Sequence, residues 1–323
     1  MTDPQHTDLH QIRQEWGPNE AKRPIVPGHE IVGYVMRVGD RAAAKFRVNE
    51  RVAVGTIVGS CGACDQCAVG EEIYCADWVD TYMGTHKTGA RTYGGYAERV
   101  VVDAKFVFKV PESLPSSTVA PLMCAGITVY QPLIRHFRPG ASVGVVGIGG
   151  LGHLALQFAR AIGYQRVVAI TSTAQKGEAA RQFGAQDVIV NLDTNALQAA
   201  TRSLDLVLIT ATADLPWAEY VGMLKVAGVL CLVGAPPSGK VTLPSTPFLF
   251  GRLVFAGSLT GGTKMTVDML EVAAKHNVRV AVELLPLDAK GANEALDRVS
   301  RGVARFRCVL VPKEDLEAAR REL

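Results

Sequence analysis

A chain of 323 residues, 48% hydrophobic and 20% charged, is long enough for two domains with substantial cores. Its formal charge of +3, without a long basic run, gives nucleic acid or an anionic membrane no footing, and no apolar stretch is expected to approach a membrane span. Seven cysteines is an odd number with Cys61, Cys64, Cys67 and Cys75 crowded together, and the start Met-Thr-Asp-Pro-Gln-His lacks a basic then apolar leader. A metal site is therefore expected in place of a disulfide framework, and the cytoplasm is the expected compartment.

In chain order, Pro24 to Val35 is a turn feeding a β-branched strand, and Arg51 to Val54 is another short strand. With Tyr96 to Val102 and Phe106 to Val110 these predict an antiparallel barrel or sandwich. From about Ala125 apolar strands alternate with helical patterns: Val143 to Val146, Val167 to Ile170, Val188 to Val190, Leu204 to Ile209, Val229 to Val233 and Leu253 to Ala256. Such alternation predicts a doubly wound parallel sheet, an α/β fold. From Lys264 a helix through Lys275 and two strands, Val278 to Leu284 and Phe306 to Val311, are expected to rejoin the first domain. The expected division is 1–124, 125–262 and a return at 263–323.

The cysteines form C-x2-C-x2-C-x7-C in the lobe 61–75. Four thiolates so spaced can wrap tetrahedrally round one zinc, leaving no open position, so the metal is structural and does no chemistry. The lobe carries Asp65, Glu71 and Glu72 with no Lys or Arg, the wrong sign for a nucleic-acid zinc module.

The apolar run from Val143 ends in Gly147, Gly149 and Gly152, and the apolar spacing of His153 to Ile162 is helical. Gly147 makes the turn, Gly149 lets backbone approach a pyrophosphate, and Gly152 allows close helix packing, with the phosphates on the helix N-terminus. A glycine turn without ligand is the alternative. An acidic residue for the NAD 2′-hydroxyl belongs after the next strand, but Thr171-Ser172-Thr173-Ala174-Gln175-Lys176 contains none. Hydroxyls and a lysine suit a 2′-phosphate, which favours NADP over NAD.

Collinear motifs carry a resemblance over nearly the whole chain: His6-Thr7-Asp8-Leu9-His10, Gly28-His29-Glu30, the cysteine lobe, Tyr93-Gly94-Gly95-Tyr96, Cys124-Ala125-Gly126-Ile127-Thr128, the glycine turn, and Leu232-Val233-Gly234-Ala235-Pro236. The chain resembles the medium-chain zinc-dependent alcohol dehydrogenases, nearest the cinnamyl-alcohol dehydrogenase group. The resemblance implies a Rossmann-type doubly wound sheet plus a GroES-like β-barrel catalytic domain, here short of the family's first strands, as a truncated product or alternative start would leave it. It implies a catalytic zinc on His29 and Cys124, with Glu30 as an exchanging ligand. A first cysteine should directly precede His6, and the residue there is Gln5, whose neutral amide supplies neither charge nor soft character. Glu30 could supply the missing charge by moving inward.

By the same resemblance Thr7 takes the alcohol proton and passes it toward His10, Thr128 contacts the cofactor near its ring, and Gly147, Gly149, Gly150, Leu151 and Gly152 hold the pyrophosphate. Ser172, Thr173 and Lys176 hold the 2′-phosphate, and Val233, Ala235 and Ser258 line the nicotinamide. The implied activity is NADP-dependent, zinc-dependent alcohol dehydrogenation or aldehyde reduction on a small molecule, by a homodimer pairing Leu253 to Ala256. Asp80, with Trp78 and Tyr82 nearby, disfavours a bare phenyl ring. Two competing readings are a zinc-free reductase of conjugated double bonds and a catalytically impaired NADPH-binding protein.

Overall fold

Strands covered on both faces need no polar alternation, and every residue of Ser142–Val146 and of Leu204–Ile209 is buried. They lie at the centre of a six-stranded sheet in the order Val254–Gly257, Leu224–Leu232, Leu204–Ile209, Ser142–Val146, Arg166–Thr171, Asp187–Val190. All its pairings are parallel, with Val145 opposite both Ala169 and Leu208. The chain enters at Ser142–Val146, builds outward on one side, then crosses to the other, so the order reverses between Ser142–Val146 and Leu204–Ile209. A doubly wound sheet offers its ligand crevice at that reversal, outside the carboxyl ends of the strands.

The computed structural model describes all residues except 16, 18–23 and 191–192. It divides into two units, Met1–Cys124 with Gly261–Leu323, and Ala125–Thr260. In the second unit the core gathers Val168, Ile170, Val207, Ile209, Tyr220 and Leu230. Tyr130 and Phe158 meet edge to face at 5.2 Å, joining the helices Ile127–Arg135 and Gly152–Ile162. Asp205 is the acidic member of its strand, 9% exposed. Its oxygens accept from Arg138 Nη2 at 2.7 Å, the Ser142 backbone N–H at 2.8 Å and Lys225 Nζ at 2.8 Å.

In the first unit an antiparallel sheet runs Ile31–Tyr34, Arg51–Val54, Val107–Lys109, with Val32 opposite Ala53 and Ala53 opposite Phe108. The returning tail adds the parallel pair Val282–Pro286 and Arg307–Val311. Thr2 bridges both groups, pairing with Ile31 and with Leu310, whose N–H donates to Thr2 O at 2.7 Å. The stretch Tyr96 to Val102, expected as a strand, is irregular: among the described residues it has no ladder partner, and Val101 stands 98% exposed. Phe106 to Val110 shortens to Val107–Lys109 because its start winds into the 3₁₀ turn Ala104–Phe106, capped by Asp103. The strand expected from Val278 likewise starts later, at Val282. Contrary to expectation, one helical run, Ser116–Arg135, is long and apolar enough to cross a membrane, but 89% of its apolar window is buried in protein.

The cysteine lobe carries its own anchor. Glu72, 1% exposed, accepts from the Thr263 backbone N–H and hydroxyl, both at 2.9 Å, and pairs with Lys105 Nζ at 2.9 Å. It thereby satisfies the first free N–H of the helix Thr263–Lys275, whose N-cap, Gly262, has no side chain for the task. Gly262 is required by closeness: a Cβ there would stand 1.9 Å from Gly70 O.

Asp205 and Glu72 yield distinct expectations. Burial opposes the Asp205 charge, but hydrogen bonds from Lys225, Arg138 and Ser142 prevail and hold its carboxyl below the ordinary range. A depressed folded pKa gives stability above the unfolded value and loses it as pH falls through the folded one. Asp205→Asn should therefore cost about 1–3 kcal/mol at neutral pH, with the difference between variant and parent in denaturant melts shrinking below about pH 4. Glu72→Gln should speed amide exchange in the first turn of Thr263–Lys275 while leaving the six-stranded sheet protected, a contrast that hydrogen-exchange mass spectrometry resolves.

Candidate active site

The helix His6–Ile12 begins at Gln5, whose N–H donates to Asp8 Oδ2 at 3.0 Å, the reciprocal bond of a capping box. The other Asp8 oxygen accepts from the Gly28 N–H at 3.1 Å and lies 3.5 Å from His29 Nδ1. One wholly buried carboxylate thus ties the start of the helix to the backbone that carries His29. Gly28 sits at φ +98°, and a Cβ there would be 2.7 Å from the Tyr96 ring, so only glycine brings the chain into this turn. The Tyr82 ring backs His29 at 6.0 Å.

Cys124 reaches the same place from another element. The helix Ser116–Pro121 widens into a π turn at Leu122–Gly126, immediately after a proline that has no N–H to continue the ladder. The turn carries Cys124 toward His29. Burial disfavours both charges, yet the Cys124 thiolate and the Asp8 carboxylate lift the His29 pKa well above its usual value. In return the His29 imidazolium outweighs burial at Cys124 and holds its thiol low. Among the described residues neither His29 ring nitrogen makes a hydrogen bond, nor does Gln5 Nε2, although all are buried. Such atoms are normally satisfied, and with Nδ1 turned to Asp8 at 3.5 Å it is His29 Nε2 that is left as the ring atom open to a ligand.

Glu30 is turned elsewhere. Both its oxygens accept from Arg307 Nη2, at 3.0 and 2.8 Å, while Arg307 Nε donates to Asp3 Oδ2 at 2.6 Å. Asp3 and Glu30 are 0% exposed.

Among the described residues one group of metal-ligating side chains has all its ligand atoms within 4.8 Å: Cys61, Cys64, Cys67 and Cys75. Backbone N–H groups of Ala63 and Cys64 pull the Cys61 thiol down to about 6. An N–H from Cys67 favours the Cys64 thiolate, but Cys61 and the other neighbouring thiols push it up to about 11. Four thiolates so close repel one another unless a cation sits between them, so the lobe fits zinc. His29 and Cys124 also fit a metal, an imidazole nitrogen without a hydrogen bond among the described residues beside a thiol held low, whereas Glu30 does not join them in a common group.

Thr7 and His10 lie three apart on the first helix, half-buried, with His10 Nδ1 paired to Glu15 Oε2. The N-cap there is Gln5, which leaves the Thr7 hydroxyl outside the cap. In the second unit Gly147 takes φ +90° at the turn, a Cβ on Gly152 would stand 1.9 Å from Gly147 O, and one on Gly149 would meet only open space. Gly149 thus leaves an open approach to the helix Gly152–Ile162, with Gly150 and Leu151 half-buried between them. Ser172, Thr173 and Lys176 follow Arg166–Thr171, Val233 and Ala235 follow Leu224–Leu232, and Ser258 follows Val254–Gly257, all at the carboxyl edge of the sheet. Thr173 caps the next helix, accepting from the Lys176 N–H at 3.3 Å. Thr128 is buried one residue into Ile127–Arg135.

Asp3, Asp8, Tyr82 and Arg307 escaped sequence reasoning as site residues. The capping-box spacing of Gln5 to Asp8 was the available signal for Asp8; nothing local announces Arg307, 304 residues from Asp3.

Residues 3–112 match the alcohol dehydrogenase GroES-like domain and residues 150–275 the zinc-binding dehydrogenase family. The chain is 46% identical to a vomilenine reductase of Rauvolfia serpentina, over 94% of this chain and 84% of that protein. It superposes on a cinnamyl alcohol dehydrogenase of Sorghum bicolor with TM-score 0.87 and 38% identity, covering 96% and 87% of the two chains. A CAD from Helicobacter pylori, solved with NADP(H), gives TM-score 0.84 and 33% identity over 96% and 87%. With the glycine turn at the sheet reversal, the four-thiol lobe and the His29–Cys124 pair, these matches show that the chain is an oxidoreductase belonging to the medium-chain zinc-binding alcohol dehydrogenase family.

Proposed function

We propose that this chain is an NADP-dependent alcohol dehydrogenase that moves a hydride between NADP(H) and a primary alcohol or aldehyde. The observation that carries the reading is the buried His29 beside the half-buried Cys124, with imidazole Nε2 making no hydrogen bond among the described residues. Zinc bound there supplies a Lewis acid for the substrate oxygen. Asp8 orients His29 through Nδ1 and leaves Nε2 for the metal. Thr7 would accept the alcohol proton as its own hydroxyl proton passes to the nicotinamide ribose, and His10, whose side chain is 36% exposed, would relay it from there to water.

Cofactor choice follows from the strand end at Thr171. Ser172, Thr173 and Lys176 are exposed there with no carboxylate to repel a 2′-phosphate, and the Helicobacter pylori relative was solved with NADP(H). Asp80, exposed beside the lobe, speaks against a preference for unsubstituted cinnamyl rings. Gln5, in place of a thiolate, favours a second reading, zinc-free reduction of a conjugated C=C bond. We place the chain in the cytoplasm on its seven unpaired cysteines.

We infer a homodimer through Val254–Gly257, an edge strand on which Val254 is 47% and Phe255 43% exposed, with Phe250 nearby at 84%. An open apolar edge of this kind pairs with another strand.

Product analysis separates the two chemistries: from cinnamaldehyde or geranial and NADPH, the proposed enzyme should yield the allylic alcohol, and a saturated aldehyde would favour the second reading. Lys176→Ala should weaken NADPH by about 10-fold and spare NADH; equal losses in both KM values would refute the 2′-phosphate assignment. Phe255→Lys should shift the protein to a monomer in sedimentation velocity.

A further inference from the structure

We infer that His153 is a positioning residue of the cofactor loop: its imidazole N–H holds the Gly149 carbonyl inside the protein and so aims the Gly150 N–H at the dinucleotide pyrophosphate. The inference rests on the NADP(H) reading of the glycine turn and adds to it a side chain whose work the glycines cannot do.

Between the strand Ser142–Val146 and the helix Gly152–Ile162 two glycines adjoin, Gly149 and Gly150, so the peptide that joins them can turn over at little steric cost. In a trans peptide the carbonyl and the following N–H point in opposite directions. One orientation offers the Gly150 N–H to a phosphate, and the other offers the Gly149 oxygen, which repels it. The helix has no side-chain cap to choose between them, because its N-cap is Leu151.

His153, 0% exposed in the first turn of that helix, makes the choice. The Gly149 oxygen accepts from its backbone N–H at 3.1 Å and from its ring Nδ1 at 3.0 Å. A carbonyl can only accept, so Nδ1 carries the proton. The backbone bond alone belongs to the end of a helix, the part that frays. The ring bond fills the second lone pair of the same oxygen from a buried side chain, packed edge to face on Phe183 at 5.1 Å. Two residues earlier Thr210 secures Gly147 in the same way, its hydroxyl donating between Gly147 O at 2.7 Å and Val146 O at 2.9 Å. Both glycine carbonyls are thus drawn inward, on the side opposite a docked anion.

Calorimetric titration of the full chain with NADPH, NADH and 2′-AMP tests this. His153→Leu keeps an apolar contact with Phe183 and removes the donor. His153→Asn returns a donor at the position of Nδ1, and His153→Gln returns one at the position of Nε2. His153→Leu and His153→Gln should weaken NADPH and NADH alike, by about 10-fold, because both carry the pyrophosphate. They should leave 2′-AMP, which has the adenosine and the 2′-phosphate but no pyrophosphate, at the affinity of the parent. His153→Asn should bind all three ligands like the parent. The inference fails if His153→Leu binds both dinucleotides like the parent, if it loses 2′-AMP to the same extent, or if His153→Asn stays as weak as His153→Leu. A parent that binds neither NADPH nor NADH sinks the cofactor reading and this inference together; a parent that binds NADPH beside an unaffected His153→Leu sinks this inference alone.

Discussion

The first unit depends on a buried cation shared between two carboxylates. Arg307 sits on the last strand, Asp3 at the start of the chain and Glu30 in the loop after Gly28, so one guanidinium joins three segments that are remote in sequence. Removing one member of such a group strands a charge without water and typically costs about 3–5 kcal/mol. The pairing therefore fixes where Gln5 and His29 stand, because each lies within two residues of a carboxylate that Arg307 holds. Asp8 repeats the device on a smaller scale with backbone donors in place of the arginine.

Around this charge cluster the two metal positions contrast. The lobe is built from one short stretch with four thiols, and its own Glu72 secures it to the start of the helix Thr263–Lys275. The His29–Cys124 position draws each side chain from a different element and surrounds it with buried carboxylates. A closed, symmetric donor set serves stability. An open, uneven one serves chemistry.

How far the sequence reached depends on whether a feature is local. The central strands Ser142–Val146 and Leu204–Ile209 were legible because burial on both faces forces unbroken apolar runs, and the glycine turn because Gly147, Gly149 and Gly152 each meet a separate steric demand. The stretch Tyr96 to Val102 misled because three successive valines favour a strand only when a neighbour supplies the ladder, which β-propensity does not encode. Cys124 was legible as a residue type, but the π turn that aims it was not. The partnership of Arg307 with Glu30 spans 277 residues and has no sequence signature.

That π turn, Leu122–Gly126, constrains how this part of the molecule can change over evolutionary time. A wide turn accommodates one residue beyond the regular helical ladder, so losing a single amino acid here would let the helix close into α form and swing Cys124 round the axis by about 100°. Length, then, is guarded more strictly than identity along Leu122–Gly126: side chains can be exchanged in place, but an insertion or deletion would turn the thiol away from His29 even with every ligand still encoded.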